Sequence, residues 1–142
     1  MNMKKQFQFL VIILMITFIQ SCVPEDSATP DTGDVRDKYT GTWLVIEHAR
    51  KSSLIVTYTI VISLDPSNSS RVLLSHFSGY SGSNPAYGIA TSSSITVTSQ
   101  SMASDWQVEG SGTLANSSTM DWTYTITAGG NTDTFTATAT KQ

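Results

Sequence analysis

The sequence holds a single cysteine, Cys22, which excludes a disulfide within the chain and leaves stability to packing and strand pairing. Charge is equally scarce: 13% of the 142 residues are Asp, Glu, Lys or Arg, and the net charge is -3. Taking Lys4 and Lys5 away with the leader leaves 6 basic against 11 acidic groups. No cluster of Lys and Arg exists to meet a phosphate backbone, so nucleic acid is excluded as a partner. The same shortage excludes electrostatic adhesion to anionic lipid. His48 and His76 are the only histidines, with no cysteine or third histidine beside them, so no metal site is expected. No cofactor motif stands in its proper context either. Gly110-Ser111-Gly112-Thr113-Leu114-Ala115 matches a dinucleotide string, but no helix follows to hold a pyrophosphate. Those glycines read as a bend or bulge.

Long apolar runs are also lacking, with one exception. Phe9 to Ile19 is apolar apart from Thr17 and follows Lys4 and Lys5. It is too short to cross a bilayer, and residues 1–21 read as a cleaved export signal. The run ends in Ile19-Gln20-Ser21-Cys22, which resembles a bacterial lipobox. That resemblance implies a cut before Cys22 and acylation of its thiol. Membrane attachment would then come through the N-terminal lipid, at about 0.8 kcal/mol per buried methylene. Residues 22–38 mix Pro, acidic and small polar residues and read as a disordered tether. Val23, in place of an aspartate, points by resemblance to the outer membrane. Glu25-Asp26 resembles an acidic signal for surface exposure, and reads equally as the solubility of a stalk. Asp26-Ser27-Ala28 resembles an O-glycosylation sequon, while Asn68-Ser69-Ser70 and Asn116-Ser117-Ser118 read as turns.

Residues 39–142 form a succession of short β-type segments separated by Gly, Asn, Asp and Ser. Strands are expected at Gly41 to Ala49, Leu54 to Leu64, Arg71 to His76, Tyr87 to Thr91, Ser94 to Ser101 and Asp105 to Leu114. Two more follow, around Met120 to Ile126 and around Phe135. Leu54, Val56, Tyr58, Ile60, Ile62 and Leu64 share one face of the second strand. Later, Met120, Trp122, Tyr124 and Ile126 alternate with Asp121, Thr123, Thr125 and Thr127, and Phe135, Ala137 and Ala139 alternate with threonines. Period-two alternation means one buried and one wet face. Mostly short turns predict an eight-stranded antiparallel up-and-down β-barrel, a closure that removes sheet edges. The long connection is Phe77 to Ala86, rich in Gly and Ser with Tyr80 at its centre.

Gly41-Thr42-Trp43 matches the Gly-x-Trp that opens lipocalin-like, calycin-type barrels. With the turn Asp65-Pro66-Ser67-Asn68, Gly110 to Thr113 and the terminal Thr-Ala-Thr-Ala-Thr-Lys, the chain resembles small Gram-negative outer-membrane lipoproteins with a lipocalin-like domain. The resemblance implies that Trp43 closes the barrel floor and that Lys141 lies across it. The domain is small for a lipocalin and lacks that family's helix and disulfide.

Ser75, His76 and Asp105 assemble on paper into a hydrolytic trio, but no Gly-x-Ser-x-Gly elbow accompanies them, and no enzyme is expected. Asp105, Gln107 and Glu109 read as solvated. The aromatics carry the functional reading. Tyr58, Trp106, Trp122, Tyr124 and Phe135 lie on buried faces, and Tyr80 and Tyr87 flank the long loop as candidate mouth residues. An eight-stranded barrel has room for its own side chains or one small ligand. Two functions therefore lead, a membrane-anchored protein binding a small apolar or amphipathic, lipid-like ligand, and a non-catalytic interaction or structural module on the cell surface with a filled core, with a hydrolase a distant third.

Overall fold

The computed structural model describes residues 33–49 and 53–142. The expected export signal, Cys22, the expected tether up to residue 32 and three residues between the first two strands lie outside the described residues. Eight strands follow in order: β1 (Gly41–Ala49), β2 (Ile55–Leu64), β3 (Arg71–Ser75), β4 (Ala86–Ala90), β5 (Ser94–Ala103), β6 (Trp106–Asn116), β7 (Thr119–Ala128) and β8 (Asn131–Lys141). Each pairs antiparallel with the next, and β1 pairs with β8 to close the barrel. Every strand finds its partners inside Gly33–Gln142, which is a self-contained compact unit.

Alternation dictates what points inward. Trp43, Val45, Ile60, Ile62, Val72, Leu74, Ile95, Val97, Met120, Trp122 and Tyr124 are all buried, and the residues between them mostly face water. Two expectations change here. Leu54, Val56 and Leu64 keep the inward parity of β2 but are 62%, 39% and 38% exposed, because they lie at the two ends of the barrel beyond its packed centre. Gly110 and Gly112 serve close packing first. Their register partners on β7 are Tyr124 and Trp122, and a Cβ on either glycine would fall 2.4 or 2.5 Å from those side chains. The glycines let two large aromatics sit flat against β6. One β-bulge does fall beside Gly110, on β5 between its register partner Val97 and Gln100; others lie between Ser101 and Ala103 and between Leu114 and Asn116.

The end where β1 begins is a sealed floor. Trp43 is fully buried and its Nε1 donates to the Tyr39 carbonyl at 2.8 Å. Lys141 Nζ lies 5.5 Å from the Trp43 ring centroid and donates to the Lys38 carbonyl at 2.9 Å. Tyr39, on a short 3-10 turn (Asp37–Tyr39), donates its hydroxyl to the Thr91 carbonyl at 3.0 Å. Arg36 just before that turn is 7% exposed. Its Nη1 donates to the carbonyls of Asp65, Asn68 and Arg71 at 3.3, 2.8 and 3.0 Å, and Asp34 pairs with its guanidinium. One side chain thus satisfies the carbonyls of the β2–β3 turn.

The opposite rim is less complete. β3 and β4 have five residues each, against ten in β2 and β5. β2 meets β3 only over Val61–Leu64, and β4 meets β5 only at Ile89 and Ala90. Gln100 extends that second seam with its side chain, accepting from the Tyr87 N–H at 2.9 Å and donating to the Tyr87 carbonyl at 2.7 Å. The upper wall between β2 and β5 is therefore missing two half-strands. The connection after β3 fills the notch.

Candidate functional site beneath the rim

A second 3-10 turn (Phe77–Gly79) sits in the notch as a plug. Phe77 is 2% exposed, with its ring centroid 4.9 Å from that of Trp122 and 5.0 Å from that of Tyr124. His76 and Ser78 flank it at φ 61° and 55°, a left-handed backbone that costs a non-glycine residue about 1–3 kcal/mol. Packing of Phe77 onto the two β7 aromatics offsets that strain. Behind the plug Tyr80 leans on Trp106, centroids 6.0 Å apart, and donates its hydroxyl to the Met102 carbonyl at 3.2 Å.

Below the plug lies a polar cluster inside an otherwise apolar barrel. Glu47 points inward from β1 and is 7% exposed. Its Oε2 accepts the Tyr58 hydroxyl at 3.0 Å and a very short bond from the Tyr124 hydroxyl. The two hydroxyl oxygens are 2.9 Å apart. Tyr124 also stacks on Phe135, at 5.6 Å and 18°. A carboxylate taken from water needs such donors, since an unpaired buried charge would be far costlier. Burial pushes the Glu47 carboxyl up from its ordinary value of 4.5, against the pull of the Tyr58 hydroxyl. Burial raises the Tyr58 hydroxyl too, and the Glu47 charge adds to it. Among the described residues, Ser78 Oγ, Trp122 Nε1, Trp106 Nε1 and Arg71 Nε are buried without a hydrogen-bond partner. Ser78 and Trp122 belong to the plug and to its seat.

A carboxyl whose folded pKa is raised binds its proton more readily folded than unfolded. Its contribution to stability is full below the unfolded value and falls as pH rises toward the folded one. Asp65, held low by the Ser67 hydroxyl, works in the opposite direction, so the Glu47 effect is read as a difference. Relative to Glu47→Gln, the wild-type barrel should lose stability as pH rises above 4.5. Urea denaturation midpoints of both proteins across that range measure it, and parallel curves would refute it.

The structure brings Tyr58, Trp122, Tyr124 and Phe135 together around Glu47 and Phe77, two residues that the aromatic pattern does not disclose. Trp106 and Tyr80 stand one step away, packed on each other. Tyr87 does not line the rim. It faces outward under Arg71, whose guanidinium carbon lies 4.8 Å from its ring centroid. Ser75 ends β3, His76 is exposed, and Asp105 lies in the β5–β6 turn; none of the three hydrogen-bonds another. Gln107 and Glu109 face water on β6. They border shallow depressions of about 350 and about 330 Å³ on the outer wall, which hold none of the clustered side chains except the edge of Tyr124.

No family model matches the chain, and no curated protein matches it. Solved structures do. One is a redesigned β-barrel, b11L5F_LGL, with a TM-score of 0.52 at 14% identity, covering 78% of this chain and 97% of that one. Another is EF1p2_mFAP2b bound to DFHBI, with a TM-score of 0.51 at 13% identity, covering 78% of this chain and 100% of that one. At such identities the likeness is one of fold, a closed eight-stranded barrel.

Proposed function

We propose that this chain is a lipid-anchored, lipocalin-like barrel that binds one small amphipathic ligand beneath its rim. The observation that carries the reading is the Glu47–Tyr58–Tyr124 cluster, buried under a plug that is strained at both flanks. A ligand would displace Phe77, lay its apolar body on Trp122, Tyr124 and Phe135, and set its polar head against the carboxyl and hydroxyls. Ser78 Oγ and Trp122 Nε1 supply further hydrogen-bonding capacity beside it. The ligand carried by the barrel of similar fold supports the small-molecule class. Acylation at Cys22 and an outer-membrane location rest on the sequence pattern alone, and neither enters the binding geometry.

Titration with monolauroylglycerol, followed by tryptophan fluorescence, tests the reading. Phe77→Ala removes the competing ring and should tighten binding at least tenfold. Adding Glu47→Leu, which deletes the polar anchor, should reverse that gain. Native mass spectrometry of Gly33–Gln142 should show a carried small molecule that organic solvent extracts. If neither protein responds and nothing is carried, the filled-core reading takes over, as the packing of Phe77 on Trp122 and Tyr124 would favour.

A further inference from the structure

The outside of the barrel is divided in two. Among the described residues, eight large hydrophobic side chains are exposed, and all of them lie on β1, β2, β4 or the segments leading into β1 and β2; β5 to β8 contribute none. Four take outward positions on the wall: Ile46 (43% exposed), Ile55 (59%), Val61 (40%) and Ile89 (42%). Register makes them continuous. Ile46 opposes Thr57 and lies diagonal to Ile55; Leu44 opposes Thr59 and lies diagonal to Val61. Val61 opposes Ser75 and is diagonal to Leu73, and Leu73 is in turn diagonal to Ile89. Diagonal neighbours on a sheet are about 7–8 Å apart, within reach of aliphatic side chains. An oblique aliphatic stripe therefore crosses four strands.

The other half carries threonine at the equivalent positions. Thr123, Thr136, Thr138 and Thr140 face out on β7 and β8, and the exposed acids of the strands and their connections, Asp105, Glu109 and Asp121, stand on the β5–β7 side, leaving Asp34 and Asp37 exposed in the segment before β1. On the aliphatic side the outward Arg71 is matched by Asp65, with Nε 3.3 Å from Oδ2. That wall is neutral and apolar, while its opposite is polar and acidic.

We propose that the outer wall of β1–β4 rests on a lipid surface, an attachment made by the folded domain and independent of Cys22. Contiguous exposed apolar surface marks a contact site. A second barrel is a poor occupant, because two convex cylinders touch along a line and fall short of the roughly 1,200–2,000 Å² of a stable interface. A bilayer yields to a convex stripe, and the aliphatic side chains enter its interface without bringing an unpaired charge. The acids of β5–β7 face away from headgroups in that pose and would meet them in the reverse one. The chain also joins the barrel at the foot of this same wall. Arg36 pins the incoming segment to the β2–β3 turn, and Val35 beside it is 46% exposed.

The test uses Gly33–Gln142, which contains no acylated residue, and sonicated phosphatidylcholine vesicles. The fragment should co-sediment with the vesicles. The triple variant Ile46→Thr, Val61→Thr, Ile89→Thr copies the chemistry of the opposite wall and keeps β-branched side chains in the strands. It should lower partitioning at least tenfold, with an unchanged circular dichroism spectrum showing that the barrel persists. Thr136→Asp on the far wall should leave partitioning unaltered. An environment-sensitive fluorophore on Ile46→Cys should shift to the blue when vesicles are added, and one on Thr136→Cys should not. The proposal is overturned if the fragment stays in the supernatant, if the triple variant partitions as well as wild type, or if both labels shift alike. A lipid-free dimer that the triple variant dissolves would overturn it in favour of a second copy.

Discussion

Trp43→Ala should lower the unfolding free energy by about 3–5 kcal/mol, the range for truncating a large buried aromatic. Such a loss is a large fraction of the roughly 5–15 kcal/mol that holds an ordinary domain together. The indole is fully buried at the floor, donates to the Tyr39 carbonyl and lies beneath the Lys141 ammonium. Alanine leaves a cavity, an unmet carbonyl and a cation without its ring. Trp43 also pairs in register with both Ile60 and Lys141, so the collapse that would refill the cavity must bend the β1–β2 and β1–β8 ladders together. Urea denaturation followed by circular dichroism measures the effect. A loss below about 1 kcal/mol would mean that the floor closes without the indole.

Gly110→Ala should cost about 3 kcal/mol, at the upper end of ordinary over-packing, for the addition of a single methyl group. The new Cβ would sit 2.4 Å from Tyr124 Cβ, 2.5 Å from the Thr123 carbonyl oxygen and 2.6 Å from Tyr124 Cα. Two of those three atoms are backbone, so no rotamer change relieves the contact. The β6–β7 ladder must part where it presents Tyr124 to Glu47. The same variant should therefore disturb the polar cluster, visible as a changed tyrosine absorbance in the folded protein. Full stability with an unchanged spectrum would show that the strands separate freely there.

Most of the barrel could be read from alternation and turn chemistry. β1 falls where Gly41 to Ala49 predicts it, and the expected strands elsewhere differ from the observed ones by one or two residues at their ends, except the last, which begins earlier, at Asn131. That agreement follows from period-two burial, which has a single solution once one face is closed off. The candidate site was half legible. Tyr58, Trp122, Tyr124 and Phe135 converge as their parity implies. Glu47 shares the parity of Trp43 and Val45, which was the available signal, but flanking Leu44 and Ile46 make the strand apolar on both faces and hide it. Phe77 sits in a Gly- and Ser-rich loop, where no periodicity indicates inside or outside. Its place depends on β3 and β4 being short, a property of the whole sheet. Arg36 was invisible for a related reason: its acceptors are carbonyls 29 to 35 residues away, and carbonyls carry no sequence signature. The glycines of β6 belong to the same class, since their purpose is written on the neighbouring strand.

The Arg36 clamp has a mechanical consequence. A pull arriving along the residues before Gly33 reaches the guanidinium before it reaches Gly41. Its load passes into the carbonyls of the β2–β3 turn, skipping β1, whose ladders to β2 and β8 close the cylinder. A load entering ahead of Arg36 is thereby shared with the β2–β3 turn, and the seam of the barrel is spared the first of it.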